Sequence, residues 1–252
     1  MNLYLPKNIF SSIFEQNIPE NSEIKIIKKE SALLTRQLLN DHDAVALIPS
    51  LELLNHEDLL VSSKLSFSFD GNLSYSYMYF TENERMIDKI FMRADVTVNE
   101  VILTKILFSE RYSIYPEITL DTSLQKQVDK DYVVSGDENF ISWNFQNGIS
   151  FADEISDLID LPYVNFIFAS NNKSSLENFN KLFNEVDAKI EDNIDSILES
   201  LNYSENVKSF VKENLGSIYF ELTQNEIEAL NELIKLTYYH EIIDDIFDIN
   251  FV

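Results

Sequence analysis

Asp43-Ala-Val-Ala-Leu-Ile-Pro-Ser-Leu-Glu-Leu-Leu54 decides the reading of this chain. Ala44 to Ile48 form an apolar run that stops at Pro49-Ser50 and passes straight into the helix-like Leu51-Glu52-Leu53-Leu54. A run of that length, closed by proline, reads as a strand buried on both faces. Its C-terminal end opens into a polar turn, and open α/β sheets bind ligands at that end of their strands. The stretch therefore points to a small-molecule cleft with Ser50 in its wall. The same serine could instead cap the helix that begins at Leu51.

Upstream, Asn2 to Leu5 and Glu23 to Lys28 read as strands, and Lys7 to Gln16 and Ser31 to Leu39 as helices. The first third is thus β-α-β-α-β, the mark of a parallel sheet. Downstream, Phe67 and Phe69 alternate with Ser66 and Ser68, and Tyr75, Tyr77 and Tyr79 with Ser74, Ser76 and Met78. Asp70-Gly71 between these runs predicts a hairpin turn. Strands are expected at Ile87–Met92, Glu117–Leu120, Tyr132–Asp137 and Tyr163–Ala169. Thr97 and Glu100 form a capping box ahead of a helix through Leu107, and Thr223 and Glu226 another ahead of the last helix. After Ser170 the pattern is helical. The expected fold is α/β with two lobes, an interlobe cleft and C-terminal helices. Residues 1–82 and 171–252 form lobe one, and residues 83–170 form lobe two.

The chain has 252 residues, a formal net charge of -24 and no cysteine. A chain of this size buries enough surface to need no disulfide or metal staple. The charge argues against nucleic acid and against anionic lipid. It leaves a small anionic substrate open, because distant charges are screened and local donors decide binding. The N-terminal MNLYLPKNIF lacks the basic and long apolar regions of a signal peptide, and no apolar run is long enough for a membrane span. The expectation is a cytoplasmic protein. His42, His56 and His240 have no paired spacing, so no metal site is expected, and Asp244, Asp245 and Asp248 read as a solvated acidic terminus.

Several passages, in order along the chain, resemble the chorismate dehydratases, periplasmic-binding-protein-like enzymes of the futalosine route to menaquinone. DAVALIPSLELL resembles that family's Asp-Val-x-Leu-Val-Pro-Ser-x-Glu-Tyr. Val101 to Glu117 is similar to its helix followed by Arg-Tyr-Gly-x-x-Pro. Val133 to Phe140 resembles its Ile-Gly-Asp-x-Ala, and Phe151 to Ala169 its Leu-Gly-x-x-Trp-x-x-x-Thr-Gly-Leu-Pro-Phe-Val-Phe-Ala. The C-terminal IYFELTQNEIEALNELI fits its last strand and helix. The chain also departs from the pattern. Pro6 stands where a cleft-facing Asn is expected, Ile155 where the family has Trp, and Ile159-Asp160 where it has Thr-Gly. A histidine expected of the sister enzyme that makes dihydroxynaphthoate is missing between Glu57 and Tyr239.

The resemblance implies a type II periplasmic-binding-protein fold and a lyase that dehydrates chorismate to 3-[(1-carboxyvinyl)oxy]benzoate without a cofactor. The alternative is a noncatalytic small-anion-binding protein on the same fold. The resemblance places Ser76, with Ser74 beside it, at a catalytic cleft serine; the dull reading of both is the polar face of a strand. Thr97 and Asn99, at a helix start, could capture a carboxylate, or Thr97 could simply cap the helix. Glu100 would repel an anion unless it turned back to that cap. Gly136 and Asp137 could bind substrate, or only turn the chain from strand to helix. Arg93 and Arg36 are the cations nearest to hand for a dianion, with a surface role as the simpler reading. Oligomeric state is left open.

Overall fold

The first third folds as its pattern requires. β1 (Asn2–Pro6), α1 (Ile9–Glu15), β2 (Lys25–Lys29), α2 (Leu34–Leu39) and β3 (Val45–Pro49) follow one another, and β1 pairs in parallel with both β2 and β3. This computed structural model describes residues 1–19, 21–81, 87–123 and 129–252. Ile9, Phe10, Ile13 and Phe14 lie on one side of α1 and are all buried against the sheet. β3 continues into a short 3-10 turn at Ser50–Asn55 and then into the long β4 (Leu60–Phe69).

The chain then crosses to a second sheet. This part contains β5 (Ser76–Tyr79), β6 (Lys89–Ala94), α3 (Val98–Tyr112), β7 (Glu117–Leu120), β8 (Tyr132–Ser135), α4 (Glu138–Ile141), β9 (Ile149–Ser150) and α5 (Phe151–Ile159). Its strand order is β7-β6-β8-β5-β9, with β6 parallel to both β7 and β8. The chain returns through β10 (Tyr163–Ser170), α6 (Lys173–Asn180), α7 (Val186–Ser200), α8 (Glu205–Glu213), β11 (Ile218–Glu221), α9 (Gln224–Tyr239) and β12 (Asn250–Phe251). The first sheet has the order β11-β4-β10-β3-β1-β2, with β12 also on β4. Among the described residues no helix is long and apolar enough to cross a membrane.

Two expectations are corrected. Asp70-Gly71 makes no hairpin, because β4 pairs with β10 and β11 in the first sheet while β5 pairs with β8 and β9 in the second. Gly71, at φ +128°, turns the chain from one sheet to the other. The lobe boundaries move with it. β5 lies in the second sheet and β10 in the first, so the crossings fall at residues 70–75 and 160–162, not at 82/83 and 170/171. The expected boundary at residues 82/83 itself lies outside the described residues. β10 is buried along its whole length between β4 and β3, which explains its mainly apolar character.

One apolar core runs through both lobes, from Leu3, Phe10 and Phe14 to Tyr75, Leu103 and Phe151. A second, smaller core lies on the other face of the first sheet, where Leu34, Leu38, Ala229 and Leu230 pack. Phe14 sits centrally, with ring centroids 5.6 Å from Phe67, 5.1 Å from Phe168 and 5.2 Å from Phe183. Phe14→Ala is therefore expected to lower unfolding free energy by about 3–5 kcal/mol. Urea denaturation of both proteins checks this, and an unchanged midpoint would contradict it.

Candidate functional site

Parallel strands leave unpaired amides where the chain turns off their C-terminal ends, and buried amides need partners. Here the two lobes supply them to each other. β1 leads to Ile9, whose N–H donates to Asp137 Oδ1 at 2.9 Å. β2 leads to Ser31, whose N–H donates to both oxygens of Asp95, at 2.8 and 3.1 Å, while its Oγ donates to Asp95 Oδ2 at 2.7 Å. β3 leads to Leu51, whose N–H donates to Asn99 Oδ1 at 2.9 Å. Asp95, Asn99 and Asp137 all follow strands of the second lobe. The cleft between the lobes is closed on their side chains.

The backbone aims the two carboxylates in the same way. β6 and β8 are parallel neighbours, paired Ala94 to Ser135 at their ends. Ala94 then takes φ +68° and Gly136 φ +73°, and the next residue in each case is the aspartate. For alanine this left-handed conformation costs about 1–2 kcal/mol. A Cβ on Gly136 would come within 3.1 Å of Asp95 Cβ, so the close approach of the two turns also requires glycine. Tyr75 Oη donates to the Asp95 carbonyl at 2.6 Å and lies 2.9 Å from Ser31 Oγ. Tyr203, just before α8, donates to Asp137 Oδ2. Burial raises the Asp137 pKa, an effect partly offset by its bonds from Tyr203 and Ile9. Burial, followed by the Asp95 charge, holds the Tyr75 hydroxyl well above the ordinary tyrosine range.

Behind this seam lies a buried polar cluster. Ser76 Oγ lies 3.0 Å from Glu100 Oε1 and 3.0 Å from Ser135 Oγ. Glu100 does turn back to its cap, where Oε2 accepts from the Thr97 N–H at 2.9 Å and the Thr97 hydroxyl at 2.6 Å. Burial pushes Glu100 up to about 6, against the hydrogen bonds from Thr97 and Ser76, which favour its charged form. Asn99 Nδ2 donates to the Asn165 carbonyl at 2.7 Å and contacts Ser50 Oγ at 3.2 Å, tying α3 to β10 and to the turn after β3.

The expected site residues thus gather along one seam with their polar atoms engaged. Ser74 is part of a local turn: its Oγ donates to the Ser76 carbonyl at 2.7 Å and accepts from the Ala152 N–H at 3.1 Å. Thr97 caps α3. Ser50 makes no cap to the turn it begins and accepts from Asn99 instead. Arg93 is held within its own lobe, by Glu138 at 2.5 Å and by the Ser123 carbonyl at 2.9 Å. Asp95, Ser31, Tyr75 and Tyr203 were missed. The signal for Asp95 was legible, since Met92-Arg-Ala-Asp95 and Val134-Ser-Gly-Asp137 share one pattern of strand, small residue and aspartate.

Glu100 gives the seam a pH dependence. Its folded pKa of about 6 lies above the 4.5 ordinary for a glutamate, so the folded chain holds a proton that the unfolded chain releases between those values. Its contribution therefore falls as pH rises through that window, and stability is higher below it. The full difference is about 2 kcal/mol at ~1.4 kcal/mol per pH unit. Asp187 is also raised to about 6 by burial and acts in the same direction. Glu100→Gln should flatten the curve by Glu100's share and leave that of Asp187. Melting temperatures of both proteins from pH 4.5 to 7.5 test this, and parallel curves would refute it.

No protein-family model matches the chain, and no curated protein matches it. Solved structures do. AF1704 from Archaeoglobus fulgidus matches with a TM-score of 0.68 at 14% identity, over 96% of this chain and 98% of that one. The periplasmic aliphatic sulphonate binding protein SsuA from Escherichia coli matches with a TM-score of 0.61 at 10% identity, over 99% of this chain and 95% of that one. The Candida albicans CA3427 gene product, described as having the generic periplasmic binding protein fold, matches with a TM-score of 0.58 at 10% identity, over 95% of this chain and 90% of that one. With its two sheets joined by two crossings, the chain has the two-lobed fold of periplasmic binding proteins.

Proposed function

We propose that this chain binds a small carboxylate-bearing molecule between its lobes and releases it unchanged. The observation that carries this reading is the donor set at the strand ends. Ile9 N–H with Tyr203 Oη receives one carboxylate, and Ser31 N–H with Ser31 Oγ receives another. Neutral donors of this kind suit a carboxylate without needing a cation, which fits a chain of net charge -24. The likeness in fold to a sulphonate-binding protein is in keeping with an anionic ligand. Catalysis fits less well. A lyase site closes around its substrate to exclude water, and here closure is already made by Asp95 and Asp137.

A second reading, chorismate dehydration, is favoured by the Ser76–Glu100 contact at the position where the resemblance puts a cleft serine. In that reading Ser76 takes the ring proton as its own passes to Glu100. The C–H electron pair forms the new ring double bond as the C–O bond breaks, and the departing hydroxide takes the proton held by Glu100 and leaves as water, so that the ring becomes aromatic and Ser76 and Glu100 return to their starting forms.

One set of measurements separates the two. Thermal shift with succinate, malonate and chorismate should reveal binding at millimolar concentration or below. Chromatography after incubation with chorismate should show no enolpyruvyl benzoate. Product formed by the wild type and reduced at least about a hundredfold in Ser76→Ala would replace the first reading with the second. No shift with any of the three acids, and no product, would remove both.

A further inference from the structure

We propose that Asp95 and Asp137 are tethered stand-ins for the ligand, so that the empty protein is latched shut by its own carboxylates. The inference rests on the carboxylate-binding reading above and adds how that site is regulated. Each aspartate caps the opposite lobe instead of its own. Asp137 is 128 residues from Ile9, and Asp95 is 64 from Ser31, so both bonds exist only while the lobes are together. Asp95 is held there despite the left-handed backbone of Ala94, a conformation that persists only where the surroundings impose it. The bonds to Ser31 add to those that the turn makes within its own lobe, from the Asp95 N–H to the Ser135 carbonyl and from Tyr75 Oη to the Asp95 carbonyl.

The fit on the Asp137 side is incomplete. Asn8 Nδ2 and Ser11 Oγ, on the same first turn as Ile9, are 2% and 0% exposed at residue level and have no hydrogen-bond partner. Asn8 uses its Oδ1 to accept from the Ser11 N–H at 2.8 Å, which leaves its amide donor free. The turn that carries the Ile9 amide thus holds two buried polar groups that are unsatisfied. Because the aspartates are tethered, a free acid must compete with their effective concentration. Its apparent dissociation constant is raised by the reciprocal of the open fraction.

Asn99 provides the internal control, because it crosses the same seam and is left unaltered. Hydrogen exchange at the amides of Ile9, Ser31 and Leu51 is measured in wild type, Asp95→Ala/Asp137→Ala and Asp95→Asn/Asp137→Asn, alongside small-angle scattering. If the aspartates hold the lobes shut, the alanine pair speeds exchange at least about tenfold at all three amides and enlarges the radius of gyration. Leu51 responds because parting of the lobes also breaks its bond to Asn99. The asparagine pair, which keeps an acceptor but loses the charge, gives a smaller rise at the same three amides. It also serves as the test should the alanine pair fail to fold. Faster exchange at Ile9 and Ser31 alone, with Leu51 and the radius of gyration unchanged, overturns the latch, since only local bonds have then been lost. Succinate binding to both opened variants is read separately by calorimetry. Opening without binding upholds the latch and counts against the carboxylate-binding reading.

Discussion

The seam depends on one constraint: a buried amide must have an acceptor. Two mixed sheets whose parallel strands end at a shared seam bring several such amides into one narrow layer. In a binding protein of this architecture a ligand can satisfy them. In this chain Asp95, Asn99 and Asp137 do so. The two carboxylates are the stronger acceptors, because a charged oxygen bonds an N–H about twice as well as a neutral one. Their desolvation is only partial, as both side chains are half-buried. This arrangement keeps the charge affordable without a buried cation. Lys28, the lysine whose charge acts on Asp137, is itself paired with Glu15 at 2.6 Å.

Behind the seam the polar groups are arranged differently. Glu100 is wholly enclosed, and its carboxylate accepts from Thr97 and Ser76. A capping box usually lies at the protein surface, but this one lies inside, because α3 starts directly against the first lobe. Asn99, one residue earlier, forms the neutral part of the seam from the same turn of helix. The local motif Thr-x-x-Glu thus starts α3 cleanly and sets the orientation of the residue that crosses to β10 and to the turn after β3.

Local pattern made much of this legible. The β-α-β-α-β opening, both capping boxes and the strand at Tyr163–Ser170 follow from periodicity and from the placement of threonine, glutamate and proline. Partner choice was not legible in the same way. Ser66–Phe69 and Ser74–Tyr79 carry the same alternation, and a period of two says which face is buried but not which strand lies alongside. Asp-Gly supplied a left-handed residue, and the chain used it to cross between sheets. The misplaced lobe boundaries have the same origin, since β5 and β10 take partners far away in sequence. The site suffered from a related ambiguity. Serine and threonine at strand ends suit either a ligand or the neighbouring lobe, and only the packed structure distinguishes them.

The C-terminal helices determine how such a seam can open. Among the described residues the lobes are joined by two short crossings, at residues 70–75 and 160–162, and Gly71 and Asp160 in these have left-handed backbone. A hinge there could swing freely if nothing else spanned the lobes. α8 does span them. Phe210 packs on Phe145 of the second lobe at 4.8 Å, and Tyr203 bonds Asp137. α7 in turn is anchored to the first lobe, where Asp187 accepts from the N–H groups of Phe220 at 2.7 Å and Glu221 at 3.2 Å. Those amides lie on an edge strand that would otherwise be open to pairing with another chain. The helical return thus protects one sheet edge and braces the side of the seam where Asp137 sits. Asp95 lacks this brace. Its side chain is held to the first lobe by Ser31, so the Asp95 side is the one that can part first, with the Tyr203 side acting as the pivot.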